Sequence, residues 1–271
     1  MNNLERKMTD VLIDLKENHH VIGVKAEFEA EGTRLEEALR LKEVVTRAGL
    51  DLTIKIGGCE ALKDMYDARS IGVQRIVAPM IESPYALEKF LKATELAFPA
   101  DERDGVSFFV NIETIDGYNN FDRMLALGSI GELDGIVLGR VDMTGSLGLT
   151  REDINSPRIF KIAEDLFSKA KQRAMECVIG GGVGAEALPF FRKLPAGLLD
   201  RYETRKIIFQ CPQALADNAE KGILKAVGFE LMWLKNKRDF YGMIFQEDRT
   251  RIEMMQTRYD RAIEKAGGTY K

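Results

Sequence analysis

Short runs of β-branched residues alternate with amphipathic segments along residues 1–211, and this alternation constrains the fold more than any other feature. Each run ends in polar or glycine residues, which is typical of strands that lead into loops. The runs predict strands at residues 21–28, 52–56, 75–81, 107–112, 135–138 and 177–179. One more strand is expected within residues 198–209. Strands that alternate with helices of this length predict βαβ units and a parallel sheet.

Helix start and stop signals follow several of these strands. Thr33 and Glu36 have the spacing of a capping box, and the helix that they open is expected to end at Gly49. Ser83 is expected to cap another helix, with Pro84 at its first position. Further helices are expected at residues 61–70 and 156–174.

The predicted fold class is α/β, a TIM-type (β/α) barrel with an atypical strand count. We count about seven strands, whereas a closed barrel of this type has eight, and a chain of 271 residues fits one such barrel. A doubly wound sheet is the competing architecture, but no Gly-x-Gly-x-x-Gly motif follows the first strand.

The last part of the chain is predicted to be helical. Residues 1–211 are expected to form the barrel and residues 212–271 a C-terminal helical extension. Apolar residues recur there at helical spacing, including Leu224, Val227, Leu231 and Leu234. The extension is expected to cover either its own barrel or a neighbouring subunit.

Composition excludes several classes of function. The net charge is −4, with 39 Lys+Arg against 43 Asp+Glu, so a nucleic-acid partner is not expected. No run of about 18 apolar residues predicts a membrane span, and the first residues lack an apolar signal core. The three cysteines are far apart, which suits free thiols in the cytoplasm. The only histidines, His19 and His20, are adjacent, so any metal is expected to have oxygen ligands.

Charged residues recur where the predicted strands end, at Glu29, Lys55, Glu82, Glu113 and Asp142. The carboxyl ends of barrel strands meet at one rim, which is where such barrels place their sites. Hard cations prefer carboxylate oxygens, and Mg²⁺ commonly takes one or two of them from the protein. Taken singly, each acid also fits a helix N-cap or first turn, so the sequence pattern alone leaves both roles open.

Two of these strand ends lie in motifs that resemble a known family. Residues 110–114, VNIET, are similar to a metal-ligand strand of the 2-oxo-acid aldolase and citrate lyase β-subunit family. Residues 139–149, GRVDMTGSLGL, are similar to that family's second ligand loop, and the resemblance extends over residues 21–183. It implies that Glu113 and Asp142 ligate Mg²⁺ or Mn²⁺. It also implies a homo-oligomer, a trimer or hexamer.

The same resemblance suggests how a substrate is held. Backbone N–H groups near Val141 and Asp142 would meet the substrate carboxylate, and Asn111 stands where the family often has a glutamine. Two features depart from the family. Lys55 replaces an arginine that grips the carboxylate, and a lysine lacks the bidentate geometry of a guanidinium. The turn that carries an acid/base histidine in the aldolases is missing.

Two lysines and one acid complete the set of candidates. Lys25 and Glu29 share a face of the first strand with Glu27, and that face is expected to point into the barrel. Lys25 and Lys55 have three alternative roles: a structural ion pair, an anchor for a carboxylate, or a Schiff-base nucleophile. We take Lys55 and Glu29 as the candidate catalytic residues, and Lys25 and Arg140 as further candidates for substrate binding.

A glycine-rich run at residues 180–184 has two interpretations, a tight turn or a phosphate-binding loop. Arg205 is either a substrate contact or part of a surface ion pair. The function hypotheses likewise remain several. The first is a metal-dependent carbon–carbon lyase or aldolase acting on a 2-oxo acid. The alternatives are an acyl-CoA lyase or thioesterase, a synthase running toward condensation, and a non-catalytic barrel that binds a metal or ligand.

Overall fold

The computed structural model describes residues 1–268 of the chain. Within these residues, eight strands close into a barrel in sequence order. The strands are β1 Val21–Glu27, β2 Asp51–Lys55, β3 Arg75–Ala78, β4 Ser107–Asn111, β5 Gly135–Gly139, β6 Glu176–Gly180, β7 Arg201–Glu203 and β8 Ile207–Gln210. The prediction of an α/β barrel of the TIM type is confirmed, and the doubly wound alternative is wrong.

Helices follow most of the strands and cover the barrel. The α-helices are α1 Asn3–His19, α2 Leu35–Arg47, α3 Leu62–Ile71, α4 Pro84–Ala97, α5 Ala100–Arg103, α6 Ile115–Leu125, α7 Arg140–Ser146, α8 Pro157–Lys171, α9 Leu188–Lys193 and α10 Ala219–Lys265. Short 3₁₀ turns occupy Ile130–Glu132, Arg151–Asn155, Ala185–Ala187 and Gln213–Leu215. Within residues 1–268, none of the helices combines the length and the apolarity that a membrane span requires.

The eighth strand corrects the sequence-based count. Residues 198–209 were expected to hold one strand, but they hold β7 and nearly all of β8, joined by a tight turn. β8 pairs antiparallel with both β7 and β1, whereas the other neighbouring pairs are parallel. The expected all-parallel sheet is therefore wrong at this seam. A tight turn can join only antiparallel strands, because a parallel pair needs a long crossover.

Two helix starts differ from the sequence-based expectation. The helix α1 was not predicted, although Asn2 and Glu5 form a reciprocal capping box at its start. The helix α2 has Arg34 as its N-cap residue, paired with Glu37, so the box expected at Thr33 lies one residue too early.

An apolar layer fills the middle of the barrel and sets the floor of the site. It consists of Val77, Phe109, Val137 and Val178, one inward side chain from each of β3 to β6. Inward-facing residues recur every second position along a strand. The next inward positions toward the carboxyl ends are therefore Asn111, Gly139 and Gly180, which open the barrel mouth above this layer.

The chain divides into two compact units, one up to Glu230 and one from Leu231 onward. The first unit holds the barrel, its helices and the start of α10. The second unit holds the remainder of α10, a single exposed helix with little buried apolar surface.

Candidate active site

A cavity of about 830 Å³ opens at the carboxyl ends of the strands. Its walls include most of the side chains that the sequence singled out. These are Lys25, Glu29, Lys55, Asn111, Glu113, Val141 and Asp142. Within residues 1–268, Glu82 and Arg140 are not among the residues that line it. The structure therefore places seven of the candidate residues in one cavity.

Glu113 lies just beyond β4 and is 2% exposed. Its Oε1 accepts a hydrogen bond of 3.1 Å from the Met80 N–H, and its Oε2 accepts one of 2.8 Å from Asn111 Nδ2. Burial raises the pKa of Glu113 and outweighs the opposite effect of Lys55 and the two hydrogen bonds. A further positive charge beside Glu113 would stabilise the ionised form of its carboxylate.

Asp142 supplies the second carboxylate, from the first turn of α7. It is exposed to the cavity, and its charge adds to the effects that raise the pKa of Glu113. Gly139 ends β5 between them, and a methyl group there would overlap Glu113 Oε2. Only glycine leaves room for Glu113 to lie against this strand end.

Lys55 ends β2 and is 7% exposed. Its Nζ lies 3.1 Å from Glu29 Oε2 and 3.7 Å from Glu113 Oε1. Burial alone would lower the pKa of Lys55, but Glu113, Glu27 and Glu29 raise it above its ordinary value. Lys55 is therefore a fixed positive charge inside the cavity.

Lys25, on β1, forms a second charged group in the cavity, with Glu27 and Glu203. Its Nζ lies 2.5 Å from Glu203 Oε1 and 3.2 Å from Glu27 Oε1. Burial opposes its charge, yet these two carboxylates together raise the pKa of Lys25. The structure thus gives Lys25 the ion-pair surroundings that were one of its three predicted roles. Glu203 comes from β7, so its approach depends on the short strands that close the barrel.

Arg140 lies away from the cavity, and its surroundings do not support the predicted substrate contact. The side chain is fully buried. Its guanidinium donates hydrogen bonds to the carbonyls of Gly180, Gly181 and Gly182 at 2.9–3.3 Å, and to Asn155 Oδ1 at 2.5 Å. It also lies 5.4 Å and 4.9 Å from the ring centroids of two phenylalanines, at positions 190 and 191. Because its Nε and both Nη atoms donate to the protein, Arg140 fixes the loop after β6.

The glycine-rich loop after β6 forms a wall of the cavity. Gly181 and Gly182 have positive φ angles of 77° and 62°, which favour glycine. A Cβ on Gly181 would lie 2.7 Å from the Val141 nitrogen, so the loop packs against the start of α7. Close packing, rather than an open cradle, explains the glycine there.

Arg205 lines the cavity but is also paired with Glu31, with 3.2 Å between Arg205 Nε and Glu31 Oε1. Other lining residues were missed by the sequence analysis, notably Glu203, Glu152, Glu186 and Glu230. Glu203 lies in the polar stretch of residues 202–206, whose local sequence does not indicate that it reaches Lys25. The other three lie on loops and on a helix, where the strand-end rule gives no information.

The donor set fits a divalent cation bound by two carboxylates. Glu113 and Asp142 line the same cavity, and the buried Asn111 Oδ1 has no hydrogen-bond partner in the described part of the chain. Across residues 1–268, no three His, Cys, Asp or Glu side chains converge as metal ligands. A centre here would therefore have two protein carboxylates, which is the usual arrangement for Mg²⁺ with substrate and water completing its octahedron.

Comparison with known proteins bears on the class of this site. The family model described as HpcH/HpaI aldolase/citrate lyase matches residues 12–180. The chain belongs to this family. The match includes β1 to β6 together with Lys55, Glu113 and Asp142. The family consists of lyases, so this HpcH/HpaI protein is an enzyme of the aldolase and lyase class that acts on 2-oxo acids. No curated protein sequence matches the chain.

Solved structures agree on the fold. An HpcH/HpaI aldolase from Desulfitobacterium hafniense DCB-2 matches 69% of this chain and 78% of its own, with 14% identity and a TM-score of 0.57. A family protein from Burkholderia cenocepacia J2315 matches 69% and 80%, with 16% identity and a TM-score of 0.56. The citrate synthase SbnG matches 86% and 90%, with 14% identity and a TM-score of 0.56. These identities are low, so the likeness to these structures establishes the barrel alone.

Proposed function

We propose that this HpcH/HpaI protein is a divalent-metal-dependent carbon–carbon lyase that cleaves a 4-hydroxy-2-oxo acid to a pyruvate-like acid and an aldehyde. The observation that carries the proposal is the placement of Glu113, Asp142 and Lys55 in one cavity, with Lys55 Nζ 3.7 Å from Glu113 Oε1. Glu113 and Asp142 would hold Mg²⁺ or Mn²⁺. When bound, the cation supplies a Lewis acid that polarises the 2-oxo group and one carboxylate oxygen of the substrate.

Lys55 then has an electrostatic role. Its ammonium, between Glu29 and Glu113, neutralises part of the negative charge that develops on the 2-oxo oxygen as the carbon–carbon bond breaks. Asn111 holds Glu113 in place through its Nδ2 and keeps Oδ1 for the cation, its water or the substrate. The Val141 N–H remains the proposed donor to the substrate carboxylate. Lys25 contributes a second positive charge deeper in the cavity.

Glu29 is the proposed acid/base, in place of the missing histidine. Its carboxylate is half-buried at the cavity wall, next to Lys55. It takes the proton of the C4 hydroxyl, the C3–C4 bond breaks, and the aldehyde leaves. The electron pair stays on the pyruvate enolate, and Glu29 returns the proton to C3.

The charges around the cavity argue against an acyl-CoA substrate. Eight carboxylates line it but only four cationic side chains do. Three of those cations, Lys25, Lys55 and Arg205, are already in ion pairs. The phosphates of coenzyme A would meet a net negative surface. We therefore place the protein with the enzymes of small 2-oxo acids.

The test is pyruvate release from a panel of 4-hydroxy-2-oxo acids, measured with and without Mg²⁺ or Mn²⁺ after chelator treatment. We expect turnover only with metal, and no turnover in Glu113→Gln. Release of CoA from acyl-CoA thioesters, without any pyruvate release, would instead assign the citrate lyase branch.

A trapping experiment separates the metal mechanism from a Schiff-base mechanism. Metal-free protein is incubated with pyruvate and borohydride and then weighed. We expect no added mass, because Lys55 and Lys25 are held protonated by carboxylates and are poor nucleophiles. A stable adduct on Lys55 would overturn the proposed mechanism.

A further inference from the structure

A continuous seam of large side chains runs along the second unit. Its members are spaced alternately three and four residues apart, which is the heptad spacing of a coiled coil. From Leu231 to Met255 the seam consists of Leu231, Leu234, Arg238, Tyr241, Phe245, Asp248, Ile252 and Met255. A spacing that averages 3.5 residues keeps one face directed at a neighbouring helix over several turns.

The apolar members of this seam are exposed. Leu231, Leu234, Phe245, Ile252 and Met255 have between 52% and 68% of their surface accessible. A soluble helix rarely leaves so many large apolar side chains in one line without a partner. The face therefore fits another helix with the same repeat.

The two charged members of the seam, Arg238 and Asp248, indicate which helix binds to it. Arg238 and Asp248 are equally distant from Met243, the midpoint of the seam. In an antiparallel pair of identical helices centred there, Arg238 of each copy meets Asp248 of the other. The remaining layers are then apolar or aromatic, with Leu231 opposite Met255, Leu234 opposite Ile252 and Tyr241 opposite Phe245. A parallel pair would instead bury Arg238 against Arg238 and Asp248 against Asp248.

We propose that the seam from Leu231 to Met255 binds the same seam of a second copy of this chain as an antiparallel two-helix coiled coil. In the single chain Arg238 pairs with its neighbour Asp239 at 2.8 Å, but both side chains are mostly exposed. Such an exposed pair contributes little and is easily exchanged for a buried one. Arg238 and Asp248 then set the register and direction, as polar core residues do in coiled coils.

Basic residues flank the seam and give the assembly a salt dependence. The antiparallel register brings Lys235 near Arg249 of the second copy, and Lys237 near Arg251 of the second copy. Their mutual repulsion is exposed to solvent and screened by salt, whereas the buried Arg238–Asp248 contact is screened less. Moderate salt is therefore expected to strengthen the association. Binding of the same basic helix to an anionic membrane would be weakened by salt.

Charge-reversal variants test the pairing in the full-length protein by analytical ultracentrifugation. We expect Arg238→Glu and Asp248→Lys each to halve the mass of the assembly, because every copy then meets a like charge. The dissociation constant should rise by about 100-fold or more, the scale of a like-charge contact in an interface. An equimolar mixture of the two variants restores the pairing and the parent mass. Arg261→Glu, on the same helix but off the seam, is the matched control and leaves the mass unchanged.

Cysteine pairs test the direction. Leu234→Cys mixed with Ile252→Cys should give a disulfide between copies on oxidation, while each variant alone should give none. A disulfide within either variant alone would indicate a parallel pair and overturn the proposal. A monomeric parent at micromolar concentration, or charge variants that keep the parent mass, would also overturn it. If the monomer instead sediments with vesicles containing phosphatidylserine, the face serves a membrane surface.

Discussion

Two buried cations at the mouth of the barrel have opposite surroundings. Lys55 is 7% exposed and lies among the carboxylates of Glu29 and Glu113, inside the cavity. Arg140 is fully buried behind the cavity wall, among backbone carbonyls and two phenylalanine rings. Carboxylates raise the pKa of Lys55 above its ordinary value, whereas burial among neutral groups lowers the pKa of Arg140 to about 10.

Lys55 and Arg140 show that the groups around a buried charged side chain indicate its role. A lysine beside two carboxylates keeps its positive charge, and inside the cavity that charge can interact with a bound substrate or metal. An arginine whose Nε and both Nη atoms donate to carbonyl oxygens of the protein supports the backbone that forms the cavity wall. In this barrel, Lys55 at the end of β2 and Glu113 just beyond β4 face the cavity, whereas Arg140, just beyond β5, supports the loop after β6.

The largest effect is expected at the two proposed metal ligands. Glu113→Gln and Asp142→Asn preserve shape but remove a charged oxygen ligand, so Mn²⁺ binding should be lost in both. Isothermal titration with Mn²⁺ measures this, and circular dichroism serves as the control for an intact fold. Unchanged Mn²⁺ affinity in both variants would show that Glu113 and Asp142 are not metal ligands, and the contrast between Lys55 and Arg140 would lose its link to metal binding.

Lys55→Met tests the chemical side of the comparison. Loss of one electrostatic donor in a site of this kind costs about 10²–10³ in turnover. The variant should bind Mn²⁺ at least as tightly as the parent, because a positive charge beside Glu113 is removed. Turnover equal to that of the parent would reduce Lys55 to a structural ion-pair partner.

Arg140→Met tests the structural side. It leaves the carbonyls of Gly180, Gly181 and Gly182 without their side-chain donor, at a cost of about 1–3 kcal/mol for each buried group left unsatisfied. Thermal unfolding should show a large fall in Tm, much larger than in Lys55→Met. A variant with the Tm of the parent but weaker substrate binding would indicate that Arg140 binds substrate, as the sequence predicted.

The difference between these two cations also marks how far the sequence could predict the site. Lys55 ends a strand, and Glu113 and Asp142 each follow one closely. Parallel strands bring their carboxyl ends together, so the local pattern was sufficient to place these three residues in one cavity. Arg140 also follows a strand, but the direction of its side chain depends on carbonyls 40 to 42 residues later in the chain. No local period encodes such a contact.

The same limit explains the errors in the fold. β7 and β8 have three and four residues, too few to show a period of two, and they were merged into one strand. Glu203 reaches Lys25 only because of that closure, so the sequence could not place it. The strands β1 to β6 were located correctly because each joins a clear apolar run to a helix.

A smaller effect on metal affinity is expected at Gly139, where the end of β5 lies against Glu113. Gly139→Ala places a methyl group against Glu113 Oε2, so the carboxylate must shift from its position. Displaced ligand geometry typically lowers metal affinity or activity by about 10–100-fold. Titration with Mn²⁺ should show this loss with little change in Tm. Gly145→Ala, on the same helix as Asp142 with open space at its Cβ, is the control and should keep parent affinity.

The smallest effect concerns His19, a third buried base, whose Nδ1 has no hydrogen-bond partner among residues 1–268. Burial first, and then Lys225, lower the pKa of His19 below its ordinary value of 6.5. The unfolded chain therefore takes up the proton first, so His19 contributes stability above pH 6.5 and loses it as the pH falls toward the lowered pKa. Urea unfolding of parent and His19→Gln across pH 5–8 should show a difference that narrows on acidification. A constant difference would mean that His19 is not held neutral.

Oxalate binding tests the central claim most directly, because oxalate mimics the enolate of pyruvate and needs no turnover. Calorimetric titration of oxalate is carried out on chelator-treated protein, first without metal and then with saturating Mn²⁺. The account predicts binding only with Mn²⁺, abolished by Asp142→Asn and weakened by about tenfold or more in Lys55→Met, as loss of a charged donor to a bound anion implies. Equal oxalate affinity with and without Mn²⁺ would contradict it.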